Sequence, residues 1–154
     1  MQTFLPYPDF VASSEVLDDR RLGKQRVETL QVLRALTRET YGWKHHPAVL
    51  MWVGHEAALA AYGVANCEVW VRRGYGDTCA ATMAEDLALA GLPPPRSQVA
   101  LGAELMPPWL GDERLHRSHQ ASLVRKDPEF YAARFPGVDP DLPYYWPVRK
   151  RAAS

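Results

Sequence analysis

The stretch Leu17-Asp18-Asp19-Arg20-Arg21-Leu22-Gly23-Lys24-Gln25-Arg26-Val27-Glu28 crowds cations around one carboxylate at the start of a long helix. Arg21, Lys24 and Glu28 fall at i, i+3 and i+7 and so share a face, with Gln25 beside them. Leu22, Leu30, Leu33 and Leu36 fall largely on another face, which is free to bury. Glycine inside a helix costs about 1 kcal/mol relative to alanine, so Gly23 signals a close approach by something else. A surface Lys24–Glu28 pair is the bland alternative for this face.

The chain has 154 residues and a formal net charge of zero, but the charge is unevenly spread. From Arg20 to Arg38 the cations Arg20, Arg21, Lys24, Arg26, Arg34 and Arg38 face Glu28 alone. From Arg114 to Lys126 there are four cations and no acid, whereas Asp77 to Glu113 is acidic. Two basic blocks in a neutral whole suit one polyanion-binding face and an acidic back, and argue against a protein that coats DNA non-specifically. The length suits one domain, 1–154, with a core that needs no staples. Cys67 and Cys79 form no CxxC and read as two reduced thiols. No secretory signal and no membrane-length apolar run is present. A cytoplasmic monomer, nucleoid-associated when bound, is expected.

The fold class expected is all-α, a compact helical bundle with an extended N-terminal arm and Pro-rich loops. Residues 1–12 carry Pro6 and Pro8 and read as an arm lying on the body. A first helix is expected from about Ser14 to about Thr40, bent near Gly23. A second runs from Ala48, behind Pro47, to about Arg73, with Gly54 and nearby alanines allowing close helix contact. Asp77 caps a third, to about Ala90. Pro93-Pro94-Pro95 reads as a stiff linker and Arg96 to Pro108 as irregular. A further helix spans Leu110 to Lys126, and a short one Asp127 to Arg134. Residues 148–154 form a basic frayed tail.

Taken in order, LDDRRLGKQRVE, HPAVLMWVGHEAALAAYGVANCEVWVRRGYGDT and HQASLVRKDPEFY resemble the pyrimidine-dimer DNA glycosylases of the bacteriophage endonuclease V type. That resemblance implies a compact helical fold and a bifunctional glycosylase/AP lyase acting on damaged double-stranded DNA without a cofactor or metal. It implies that the amine at the chain's start attacks the sugar C1′, that a Schiff base forms, and that β-elimination cuts the strand. Glu28 matches the assisting glutamate. Gln2 is too large for ordinary methionine removal, so the amine is that of Met1. The resemblance maps phosphate contacts to the basic face near Arg21 and Lys24. Lys126 matches a basic position in the last helix, and Phe130-Tyr131 match a Trp-Tyr pair. Gln25, Arg26, His119 and Arg125 complete the expected DNA-binding set. Four features depart from the phage type: Gln2 stands where it has the Thr exposed by methionine removal, Val27 stands where it has Arg, the segment before Glu28 is longer, and the chain is not basic overall.

The chemistry fits the residue types. An α-amino group titrates near 8, so a useful fraction is neutral at physiological pH, whereas lysine needs tuning. A carboxylate stabilises positive charge on the sugar and relays protons. Two rival functions stand beside this one. A non-catalytic DNA-binding module would keep the fold without the nucleophile. A metal-dependent hydrolase of a nucleotide-like substrate would use His45, His46, His55, His116 and His119, since HxxH on a helix puts two rings on roughly one face.

Overall fold

The structure, a computed structural model, describes residues 1–148. The helices are α1 (Phe10–Glu15), α2 (Asp19–Thr37), α3 (Pro47–Leu50), α4 (Glu56–Arg72), α5 (Cys79–Leu89), α6 (Gln98–Leu101), α7 (Glu113–Lys126) and α8 (Pro128–Tyr131). A 3-10 turn spans Ala103–Leu105, and no strand occurs among the described residues. The all-α expectation holds. Of the expected basic tail, residues 149–154 lie outside the described residues.

Both long helices expected from periodicity are divided. The first breaks at Val16–Asp18, not at Gly23. Asp18 is extended (φ −65°, ψ 161°) and caps α2 by accepting from the Arg21 N–H. An extended capping residue ends one helix and begins another. The second breaks after α3, where Gly54 adopts φ +82°. An added Cβ on Gly54 would meet nothing within 4 Å, so this glycine serves a turn and not a helix contact. The segment expected to be irregular contains α6, capped by Ser97.

Gly23 does have the close neighbour its position implied. A Cβ there would lie 2.9 Å from Cη2 of Trp70. That indole is held between the Arg26 guanidinium, 4.6 Å from the ring centroid, and the Tyr75 ring, stacked at 4.1 Å. The glycine lets α2 and α4 approach with a tryptophan between them.

α4 packs against α1, α2 and α5. One apolar cluster gathers Leu5, Phe10, Trp52, Tyr62 and Trp109. A second gathers Phe4, Leu17, Leu22, Leu123 and Tyr131. The N-terminal segment joins them, since Phe4 belongs to one and Leu5 to the other. It does not lie on the body, as expected, but inside it: Thr3 and Leu5 are fully buried.

A buried extended segment with no sheet partner must satisfy its peptide groups some other way. Here side chains do so. Gln25 on α2 accepts from the Phe4 N–H (2.9 Å) and donates to the Gln2 carbonyl (2.8 Å). His119 Nδ1 accepts from the Leu5 N–H (2.8 Å), and His116 Nδ1–H donates to the Leu5 carbonyl (2.7 Å). Gln120 donates to Pro6 O (2.8 Å), the Tyr62 hydroxyl to Phe4 O, and the Trp52 indole to Thr3 Oγ1 (3.0 Å). The first residues of the chain are thus clamped by α2, α4, α7 and the turn after α3.

Candidate active site

The clamp delivers Met1 to a hollow of about 410 Å³. Its lining includes Met1, Gln2, Arg20, Arg21, Lys24, Gln25, Glu28, Lys126 and Tyr144. α2 supplies one wall because positions 21, 24 and 28 share its face, as the spacing required. α7 supplies Lys126 from its last turn. Glu28 is half-buried and pairs with the exposed Lys24 at 3.6 Å. The bland pair therefore exists, and it exists inside the hollow. Four cations and one carboxylate in a concave surface favour a polyanion that brings a developing positive charge to the acid.

Arg21 is tethered by Asp18 (3.1 Å), with Asp127 at 3.9 Å. Burial by itself would raise the Asp18 pKa, but hydrogen bonds from Tyr131 and Arg21 outweigh it and hold the carboxyl below its ordinary value. Arg20, not singled out by the sequence, reaches the hollow from the first turn of α2 and forms no ion pair among the described residues. Tyr144 brings the Pro-rich C-terminal loop to the rim, held by a hydroxyl contact to Ser122.

The expected DNA-contact set divides. Met1, Glu28, Arg21, Lys24, Gln25 and Lys126 share the hollow, although Gln25 is buried and spends its amide on the N-terminal segment. Arg26 turns inward to Asp77 and covers Trp70. Arg125 donates to the carbonyls of Pro140 and Leu142, pinning the C-terminal loop. Phe130 lies under the Arg134 guanidinium (3.6 Å), and Tyr131 is fully buried with its hydroxyl on Asp18. His119 is fully buried as well. Each of these five already has a protein partner, and none of them lines the hollow, although Arg125 remains exposed.

The HxxH pair has a structural explanation. His116 and His119 grip the two sides of Leu5, and His116 Nε2 also accepts from the Gly111 N–H (2.9 Å). Both His116 nitrogens are thereby occupied. Among the described residues no three His, Cys, Asp or Glu side chains converge as metal ligands. Burial, aided by His116, pushes the His119 pKa down from 6.5 to about 3. Unfolded His119 takes up a proton near pH 6.5 and the folded ring does not, so stability falls as pH drops from about 6.5 toward 3. We expect the denaturant midpoint to decline between pH 6.5 and 4.5, before the carboxylates titrate. The loss has a ceiling of about 1.4 kcal/mol per pH unit for this one group. A flat midpoint over that range would contradict the assignment.

The model of the pyrimidine dimer DNA glycosylase family matches residues 1–83. The chain belongs to this family. The matched segment runs from Met1 into α5 and contains Glu28 and the basic wall of α2, but not Lys126 or Tyr144. No curated protein and no solved structure matches the chain. No described helix is long and apolar enough to cross a membrane. Family membership supports a repair glycosylase that binds damaged DNA and acts on pyrimidine dimers.

Proposed function

We propose that this chain is a DNA glycosylase with AP-lyase activity, its nucleophile the amine of Met1 and its assisting acid Glu28. The observation that carries the reading is that both line one cation-walled hollow, with Met1 held there by a fully clamped N-terminal segment. The neutral amine forms a bond to C1′ as the bond from C1′ to the base breaks. The bonding electrons leave with the base, which takes a proton. Opening of the sugar then breaks the C1′–O4′ bond, places a proton on O4′ and leaves a Schiff base between Met1 and C1′.

Removal of a C2′ proton next expels the 3′-phosphate oxygen, cutting the strand. Water releases the sugar aldehyde and restores the amine. Glu28 stabilises the cationic sugar and relays protons. Arg20, Arg21, Lys24 and Lys126 hold phosphates beside the lesion, which makes affinity salt-dependent. The partner is damaged double-stranded DNA, and the substrate named by the family is a pyrimidine dimer.

Borohydride trapping tests this. A duplex containing a natural abasic site should yield a covalent adduct that mass spectrometry maps to the Met1 peptide, and acetylation of the amine should abolish it. Binding without any adduct would favour a non-catalytic DNA-binding module. An adduct on a lysine would refute the assigned nucleophile. The metal-hydrolase alternative has less support, because His116 and His119 are engaged by Leu5.

A further inference from the structure

An aromatic series leads out of the hollow and ends on an exposed tryptophan. Tyr144 lines the hollow. Trp146 lies 5.3 Å from it between ring centroids, His46 5.9 Å from Trp146, and Trp43 6.0 Å from His46. The inner members are fixed. His46 Nδ1 accepts from the Ala48 N–H (3.0 Å) at the start of α3, and Met1 and Trp146 pack against the same apolar cluster. Burial lowers the His46 pKa, and the positive charge of the Met1 amine lowers it further.

Trp43 differs from the other members. It is 60 % exposed. Its backbone has φ +70°, and no other non-glycine residue among those described has a positive φ. A bulky side chain in the left-handed region is strained and persists only where its surroundings hold it. The surroundings do so here: the Trp43 carbonyl accepts from the His46 N–H (2.9 Å), and Lys44 Nζ reaches back to the Ala35 carbonyl at the end of α2 (3.0 Å). Strain that presents a large flat ring to solvent, at the end of a ring series that starts in the cationic hollow, is an arrangement for contacting a ligand.

Chemistry at C1′ requires a base to leave the duplex stack. An unstacked base presents two apolar faces, and aromatic side chains receive such faces regardless of sequence. We propose that Trp43 is the stacking residue for a base displaced from the lesion site, at the outer end of the Trp43–His46–Trp146–Tyr144 series. This rests on the glycosylase reading for the identity of the DNA, but Trp43 itself takes no part in bond making.

The probe is a duplex with a tetrahydrofuran abasic analogue opposite 2-aminopurine, compared with the undamaged duplex. Trp43→Ala should weaken binding to the damaged duplex by about 5- to 100-fold, in line with single-base stacking. It should also raise the 2-aminopurine emission of the complex, while Trp43→Phe keeps most of both signals. Trp43→Gly should lose binding in the same way without lowering the melting midpoint, because glycine adopts φ +70° freely. A purely structural Trp43 would lower that midpoint.

Equal binding and equal emission for Trp43→Ala and the unaltered chain would overturn the proposal. So would an equal loss on the undamaged duplex. If the unaltered chain gives no borohydride adduct with a natural abasic site, yet Trp43→Ala loses damage preference, the glycosylase reading fails and the stacking role stands.

Discussion

Glu28→Gln should slow formation of the borohydride-trapped adduct by about 10²- to 10⁴-fold, the range expected for loss of a positioned acid–base group. Glutamine keeps the size of the side chain and a carbonyl acceptor but removes the negative charge. The cationic sugar then faces Arg20, Arg21, Lys24 and Lys126 with no carboxylate to offset them. Ground-state binding should not fall, because the DNA brings phosphates and the wall becomes more positive by one charge. Single-turnover trapping beside a binding titration separates the two effects. Equal trapping rates for the variant and the unaltered chain would remove Glu28 from the mechanism. A parallel loss of binding and trapping would make it a structural acid.

The second large effect is expected far from solvent. Gln25 is 1 % exposed and holds the Phe4 N–H and the Gln2 carbonyl. Gln25→Leu fills nearly the same space but leaves two buried peptide groups without partners, each costing about 1–3 kcal/mol. Destabilisation of about 3–5 kcal/mol is expected, a large share of a typical domain's stability. Denaturant unfolding measures it. Adduct formation should fall as well, even where the variant remains folded, because Met1 is positioned through Gln2. Full trapping activity in a destabilised but folded variant would show that Met1 does not depend on this clamp. A loss of stability below 1 kcal/mol would show that water replaces the amide.

Much of the site was legible along α2. A helix repeats every 3.6 residues, so the spacing of Arg21, Lys24 and Glu28 already placed them on one face, and Gly23 already implied a close neighbour. The helical class followed from local rules as well, and so did the capping role of Asp77, whose carboxylate accepts from the Ala80 N–H. The two divisions, at Val16–Asp18 and near Gly54, were missed because apolar periodicity continues across a short break. HxxH suggested a metal site because ring spacing on a helix does not reveal what each ring faces.

Cation density is likewise silent on what each cation faces. Arg26 and Arg125 stand in basic runs, and the structure adds that Asp77 holds the first and the carbonyls of Pro140 and Leu142 the second. Ion-pair partners tens of residues away cannot be read from local charge.

The sequence by itself determined the helical periodicities, the basic face with its single carboxylate, and the family likeness that points to a terminal amine. Only the tertiary structure decided where that amine sits. An extended segment carries no periodicity to announce burial, and its peptide groups are satisfied by glutamines and histidines contributed from two distant helices. Those hydrogen bonds exist only once α2 and α7 have packed around residues 2–6, so the position of Met1 is a property of the assembled fold.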